Sequence, residues 1–388
     1  MSSPFYITTP IYYVNDVPHI GHAYTTLACD VMARFKRLDD FDVFFLTGTD
    51  EHGQKVETAA NNKGLKPQDF VDDVSVNFRS LLKCMNFSND DFIRTTEKRH
   101  FNSCQRIWNK LVENGNIYLG KYSGWYAVRD EAFFLESEIV DGKAPSGAPV
   151  EWVEEPSYFF NLSKWQDKLL KYYDENKDFI SPNTRRNEVI SFVKGGLKDL
   201  SVSRTSFSWG IKVPNDEQHI MYVWLDALTN YLSACDYANN ENNMKNSKFW
   251  PADIHMVGKD IIRFHAVYWP AFLMAADLPL PKKVFAHGWW TNEGNKISKS
   301  LGNVINPFDL VEEYGVDQIR YFLMREVPFG NDGDFSKTQL NNRINSDLAN
   351  SYGNLFQRVV SMICKNCNKT IPQKPEFLNK EDLVLVNS

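Results

Sequence analysis

The 388-residue chain has no run of 18 apolar residues, which argues against a membrane-spanning helix. Its first residues enter a strand pattern without a charged-then-apolar leader, so no targeting peptide is expected and a cytoplasmic location is. Cysteine is sparse: Cys29, Cys84, Cys104, Cys235, Cys364 and Cys367 are all there is. That is too few for a secreted disulfide framework and fits a reducing compartment. None lies between Cys104 and Cys235, which excludes a thiolate zinc site in that stretch. Cys364 and Cys367 supply two of four ligands with no second pair, and read as coincidence on a helix or loop. Positive charge is also short, with 43 Lys and Arg against 49 Asp and Glu. Any nucleic acid must therefore be met by a local basic face.

What the chain does carry is apolar and aromatic. Hydrophobic residues reach 43% and aromatics 14%, enough for a large core and aromatic-lined pockets, and the length predicts two or three domains. The organising stretch is residues 6–22. An apolar, β-branched run reaches a turn rich in Asn, Asp and Pro. Then His19-Ile20-Gly21-His22 opens a helical pattern with Ala23, Leu27, Ala28, Val31, Met32, Phe35 and Leu38 on one face. A strand that turns into a helix N-terminus offers free backbone N–H groups and the positive end of the helix dipole to a phosphate. Gly21 removes a side chain where a ligand would approach, and His19 and His22 add two donors one turn apart. A surface pair, or half of a metal site, fits the same local pattern.

Residues 42–50 form an apolar run leading to Gly48, Asp50, Glu51, His52 and Gly53. This suits a buried strand of an α/β sheet with ligands beyond its C-terminal end; Asp50 reads equally well as a solvated turn residue. Helical patterns cover roughly 67–115. Residues 117–160 interleave aromatics with charges and then break at Gly142, Pro145, Gly147 and Pro149, which predicts an inserted, mostly β-hairpin module. The parallel sheet is expected to resume at 221–228, leading into a helix with Tyr231, and again at 253–260 and 283–289. From about 337 the pattern is helical, with Ile344, Leu348, Leu355, Val359 and Ile363 in one stripe and Asn354 and Arg358 four apart on another face. Lys296-Ile297-Ser298-Lys299-Ser300, between Gly294 and Gly302, is a small basic loop. Its lysines and hydroxyls can follow a polyphosphate as charge develops, although such a loop alone is usually solvated surface.

Jointly these residues resemble a known family. His19-Ile20-Gly21-His22 and Lys296-Ile297-Ser298-Lys299-Ser300 are similar to the two ATP motifs of class I aminoacyl-tRNA synthetases. Pro10-Ile11-Tyr12-Tyr13-Val14-Asn15, Thr47-Gly48-Thr49-Asp50-Glu51-His52-Gly53, Val223-Trp224-Leu225-Asp226-Ala227, Gly258-Lys259-Asp260-Ile261-Ile262-Arg263-Phe264-His265 and Ala286-His287-Gly288-Trp289 resemble, in order, the methionyl-tRNA synthetases. The resemblance implies an α/β fold: a Rossmann-like parallel sheet, split by a connective insertion and followed by the start of an α-helical anticodon-binding bundle. Residues 1–116 and 216–275 would be the catalytic halves and 117–215 the insertion. Residues 276–336 would be the stem-contact region with the lysine loop, and 337–388 a partial anticodon-binding domain. Further anticodon helices would fall beyond Ser388, so the chain reads as a shortened form.

The resemblance also implies partners and roles. L-methionine, ATP with Mg2+ and tRNA(Met) would be bound by a monomer. No zinc is expected, because the insertion lacks the cysteines that bind it in many members. The methionine carboxylate would attack the α-phosphorus in line, without a covalent enzyme nucleophile. His19, Gly21 and His22 match the phosphate-binding residues, Lys299 the residue that stabilises leaving pyrophosphate, with Lys296 assisting, and Asp260 a position on the nucleotide side. Asp50 and the Ile11 backbone would hold the amino group, and Tyr13, Trp224, Ala227, Ile261 and Trp269 would surround the side chain. Tyr231 and His265 would sit near the sulfur, where polar donors among aromatic walls separate a thioether from leucine. Taken singly, these aromatics read as core. Asn354 and Arg358 match a pair that reads the CAU anticodon. Ile297 and Leu228 depart from the more frequent Met and the occasional Pro. Two other classes compete. A silent tRNA-binding paralogue would not need His19, His22 and Lys299, and a nucleotidylyltransferase of the same sheet class would not need the insertion or the helical tail.

Overall fold

A computed structural model describes residues 2–14, 17–130, 132–134, 136–239, 248–297, 303–373 and 378–386. They fall into two compact units, residues 1–334 and 335–388. The first unit begins with β1 (Pro4–Thr8), β2 (Tyr12–Tyr13), α1 (Ile20–Leu38), β3 (Asp42–Asp50), α2 (Gln54–Asn62), α3 (Pro67–Cys84), β4 (Asp91–Arg94) and α4 (Lys98–Glu113). Its middle forms β5 (Ile117–Ala127), β6 (Ala132–Phe134), β7 (Glu151–Phe160), α5 (Gln166–Glu175), β8 (Ile180–Ser181) and α6 (Asn183–Lys194). Four short strands come next: β9 (Leu200–Ser201), β10 (Ser203–Arg204), β11 (Lys212–Val213) and β12 (Asp216–Met221). Then follow α7 (Val223–Ser233), β13 (Ile254–Gly258), α8 (Trp269–Ala275), β14 (Val284–His287), β15 (Trp290–Asn292), β16 (Asn295–Lys296), α9 (Pro307–Tyr314) and α10 (Val316–Arg325).

Seven of these strands make one parallel sheet, ordered β2-β3-β1-β13-β14-β8 with β4 also paired to β3. Phe44, Phe45 and Leu46 are consecutive and all buried, the signature of a strand covered on both faces. A Cβ on Gly48 would lie 2.0 Å from the Ile93 carbonyl oxygen, so glycine lets β4 close against β3. β1 and β13 are neighbours through Ile7 and Ile254. The order continues from β1 toward β3 and from β13 toward β14, so a crevice opens between β1 and β13 at their C-terminal ends. This is the switch point at which such sheets take ligands.

Four expectations change. α1 buries Ala23, Leu27 and Ala28 as predicted, but Val31, Phe35 and Leu38 are exposed. Its buried face turns instead through Tyr24, Cys29, Asp30 and Ala33, because Asp30 is held inside by Ser88, Arg34 and Arg320. The helical span 67–115 is interrupted by β4. Residues 221–228 are not a strand of the parallel sheet: β12 ends at Met221 in an antiparallel sheet with β10 and β11, and α7 starts at Val223. A short apolar run inside a buried helix has no period that distinguishes it from a strand. Finally, the hairpin expected within 117–160 is present, but the wider range 117–215 expected as the insertion includes a strand of the parallel sheet. β5 and β7 do pair antiparallel from Ile117↔Phe160 to Tyr126↔Glu151, yet Ile180 and Ser181 of β8 pair parallel with Val284 and Phe285 of β14.

Beyond the hairpin's end, Ala127, Ala144 and Ala148 are buried together against Phe134 and Val150. Methyl groups cannot ligate a metal, so the residues packed there do not fit a zinc site. The second unit contains α11 (Lys337–Arg343), a π-helical stretch Ile344–Gly353, α12 (Asn354–Asn366) and α13 (Lys380–Val386). Leu355 and Val359 of the predicted stripe are exposed there, and Asn354 and Arg358 lie one turn apart on α12, also exposed.

Candidate active site

The C-terminal ends of β1, β3, β13 and β14 surround a cavity of about 500 Å³, to which they bring Ile11, Asp50, Gly258 and His287. The first turn of α1 adds His19, Gly21 and His22 at one end, and Asp260 lines the cavity as well. Tyr13, Trp224, Ala227, Tyr231, Ile261 and His265 line the rest. Residues more than 200 positions apart in sequence thus share one wall. Trp269 does not reach it: this fully buried ring stands behind Tyr231, with centroids 6.0 Å apart. Lys296 ends β16 opposite Thr291, and Lys299 lies outside the described residues.

The helix N-terminus works differently from the expectation. His19 is the N-cap of α1, and its Nδ1 accepts from the Gly21 N–H at 3.1 Å. The His22 Nδ1 accepts from the His19 N–H at 3.1 Å, completing a reciprocal capping box built from two imidazoles. The Ile20 N–H goes to the Ile305 carbonyl and the His22 N–H to that of His19. These backbone donors are therefore already used. Burial pushes both imidazole pKa values down, and His19 depresses His22 further, so both rings are neutral. A neutral ring that accepts at Nδ1 carries its proton on Nε2. The pair offers two Nε2–H donors, with ring centroids 4.0 Å apart. Gly21 has a different use as well. A Cβ there would lie 2.9 Å from the His19 Cε1, so the glycine also makes room for the capping ring.

At the other end the backbone sets the opposite tautomer. A π-turn, Phe264–Tyr268, carries His265, whose Nδ1 lies 3.0 Å from the Ile261 carbonyl. A carbonyl only accepts, so Nδ1 holds the proton. Burial lowers the pKa to about 4 and keeps the ring neutral, which leaves Nε2 bare to accept from the Tyr231 hydroxyl at 2.7 Å. Trp224 forms the neighbouring wall, stacked on Phe264 at 3.6 Å and 6°.

The strand exit after β3 divides its work among three residues. Asp50 faces the cavity. Glu51 turns inward to Thr49, Thr96 and Arg94, and His52 reaches Asp226. Sequence reasoning gave no role to Thr25, His287 or Trp289. Thr25 Oγ1 lies 2.7 Å from His287 Nε2, and the Trp289 indole donates to Asp260 at 3.0 Å. Thr25 follows Gly21 by four on α1, a spacing that could have placed it beside the motif. A recess of about 350 Å³ adjoins the cavity, lined by His19, Tyr24, His287, Trp289, Trp290 and Ile297 among others.

A parallel switch-point sheet with a histidine-capped helix at its crevice is consistent with a class I tRNA synthetase, and the family of class I tRNA synthetases (M) matches residues 5–151 and 144–360. The methionine–tRNA ligase of Rickettsia conorii is 68% identical over 96% of this chain and 73% of its own length. Among solved structures, the Mycobacterium tuberculosis methionyl-tRNA synthetase in complex with methionyl-adenylate superposes with a TM-score of 0.93 at 53% identity, over 100% of this chain and 76% of that one. Its apo form gives 0.84 at 50% identity, over 100% and 74%. The chain belongs to the methionine–tRNA ligases.

Proposed function

We propose that this chain activates L-methionine with ATP to methionyl-adenylate, releasing pyrophosphate, and then transfers the methionyl group to the 3′ end of tRNA(Met). The observation that carries the reading is one cavity with two imidazole N–H donors at one end and an aromatic wall bearing one hydroxyl at the other. ATP binds with its phosphates at His19 and His22 and with Mg2+ as part of the substrate complex. The adenine occupies the apolar recess beside Trp290 and Ile297. As the methionine carboxylate attacks the α-phosphorus, charge moves toward the leaving pyrophosphate. The two Nε2–H groups, then Lys299 and Lys296, stabilise it.

Asp50 and the Ile11 backbone hold the methionine amino group, while Tyr13, Trp224, Ala227 and Ile261 surround the side chain. Tyr231 and His265 sit near the sulfur as a bonded pair, the Tyr231 hydroxyl giving its one hydrogen to the His265 Nε2. A thioether is polarizable and packs favourably among aromatic rings, which separates it from leucine. A second cavity of about 770 Å³ shares Asp130, Asp260 and Trp289 with the first and includes Arg185, Lys198, Lys259 and Arg263. Glu138, Glu188 and Asp199 line it as well, so its charges balance and it is not a phosphate-binding face. Asn354 and Arg358 read the anticodon. The protein works as a cytoplasmic monomer without zinc; among the described residues no helix is long and apolar enough to cross a membrane.

Methionine-dependent exchange of pyrophosphate into ATP tests the reading. No exchange with any amino acid would sink it, and exchange with leucine alone would refute the choice of methionine. Lys299→Ala should lower the adenylation rate more than methionine affinity, since its contact forms mainly in the transition state. An equal loss of affinity contradicts that role. Elemental analysis of the purified protein should find no stoichiometric zinc.

A further inference from the structure

Behind the cavity lies a buried polar cluster that the proposed chemistry does not use. Asp226, on α7, is fully buried between Trp224 and Ala227 in sequence. Its Oδ2 is 2.7 Å from His52 Nδ1 and its Oδ1 2.6 Å from His100 Nε2. His100 Nδ1 is 3.0 Å from Ser233 Oγ, and Cys104 Sγ is 3.3 Å from His100 Nε2. His100, Cys104 and Asp226 have donor types that suit a metal, but the spacing does not. Ligand atoms at about 2.0–2.3 Å from one tetrahedral ion stand more than about 3 Å apart. Separations of 2.6 and 2.7 Å are hydrogen bonds, with no gap for an ion.

The two histidines hold the Asp226 carboxyl down at about 2 against the opposing effect of burial, so it is an anion that accepts from both rings. A buried charge of this kind is weak evidence for stability, since apolar residues of the same volume stabilise a core as well. What it supplies is geometry. His52 follows Asp50 by two residues at the exit of β3. Its Nε2 makes no hydrogen bond among the described residues, and its ring lies edge-on to Phe101 and Trp209 at 5.5 Å. Asp226 is therefore the polar anchor of that ring. It follows Trp224 by two residues and precedes Ala227, while His100 braces it from α4. None of the three lines the cavity.

We infer that Asp226, through His52 and His100, is a positioning residue that fixes Asp50 relative to Trp224 and Ala227, and so sets the affinity for the amino acid. This rests on the assignment of Asp50 and Trp224 to the methionine site. The amide of Asp226→Asn turns one acceptor into a donor that opposes a histidine N–H. It should raise the methionine KM in pyrophosphate exchange tenfold or more while leaving the ATP KM within twofold. His52→Ala should do the same, and His52→Asn, whose amide keeps a donor near the Nδ1 position, should restore the KM to within about threefold of wild type. A parallel rise in both KM values, or a lower melting temperature with an unchanged methionine KM, overturns the positioning role. So does a His52→Asn variant no better than His52→Ala, which keeps the test open should Asp226→Asn fail to fold. Absence of methionine-dependent exchange in the wild-type protein would instead remove the methionine reading itself.

Discussion

The two ends of the cavity use the same side chain for opposite purposes. At the α1 end, His19 and His22 accept backbone N–H groups at Nδ1 and become Nε2 donors. At the far end, His265 gives its Nδ1 proton to the Ile261 carbonyl and becomes an Nε2 acceptor. Burial keeps all three rings neutral. Neither the residue type nor its charge separates the ends; the backbone partner does. A helix start presents N–H groups and a carbonyl one turn back presents oxygen, so local backbone direction becomes chemical polarity.

The sharpest test of that division is His22→Ala. It should cut the rate of methionine-dependent exchange by about 10²–10³, the range for one lost donor to developing charge, and leave the methionine KM within about threefold. A methionine KM that rises in step with the rate loss would merge the two ends. Acid comes next. The folded pKa of His265 lies near 4, below its ordinary 6.5, so the unfolded chain takes up a proton first as pH falls. Stability from the neutral ring is complete above about pH 6.5 and is lost on the way down to about 4, by about 3 kcal/mol. Chemical unfolding at pH 7 and 4.5 should show the loss, and His265→Gln should shrink it. An unchanged slope in that variant would mean the ring is not held neutral by burial.

A smaller effect is expected from Tyr231→Phe, which removes the donor to the buried His265 Nε2. The methionine KM should rise about tenfold, near the value of one hydrogen bond left unmade in a buried site, with little change in rate at saturation. An unchanged methionine KM would show that the Tyr231–His265 pair does not shape that end of the cavity. Smallest is Gly21→Ala. Its Cβ would press on the His19 ring, costing severalfold in rate and about 1 kcal/mol of helix capping; wild-type kinetics would show that the ring has room to move.

Much of the site was legible along the chain. The expected residues Ile11, Asp50, Trp224, Tyr231 and His265 all reach one cavity, because each belongs to a short motif whose order is visible in sequence. Trp269 stands one layer behind Tyr231, a difference of depth that the sequence pattern of buried and pocket aromatics does not show. β8 escaped notice because two residues carry no period, and 221–228 looked like a strand because a buried helix is apolar on every side. Thr25 and His287 were missed as a pair because they are 262 residues apart and meet only across the sheet.

By itself the sequence determined which chemistry this protein holds: two imidazoles at a helix start, a carboxylate at a strand end, aromatic residues for an apolar substrate, and no cysteine for a metal in the insertion. Those properties belong to residue types and short spacings. Only the tertiary structure decided which ring nitrogen donates, which aromatics face the cavity, and that His52 and His100 converge on Asp226. Hydrogen-bond polarity and burial depend on what a side chain meets across the fold, and those partners come from strands and helices far apart in the chain.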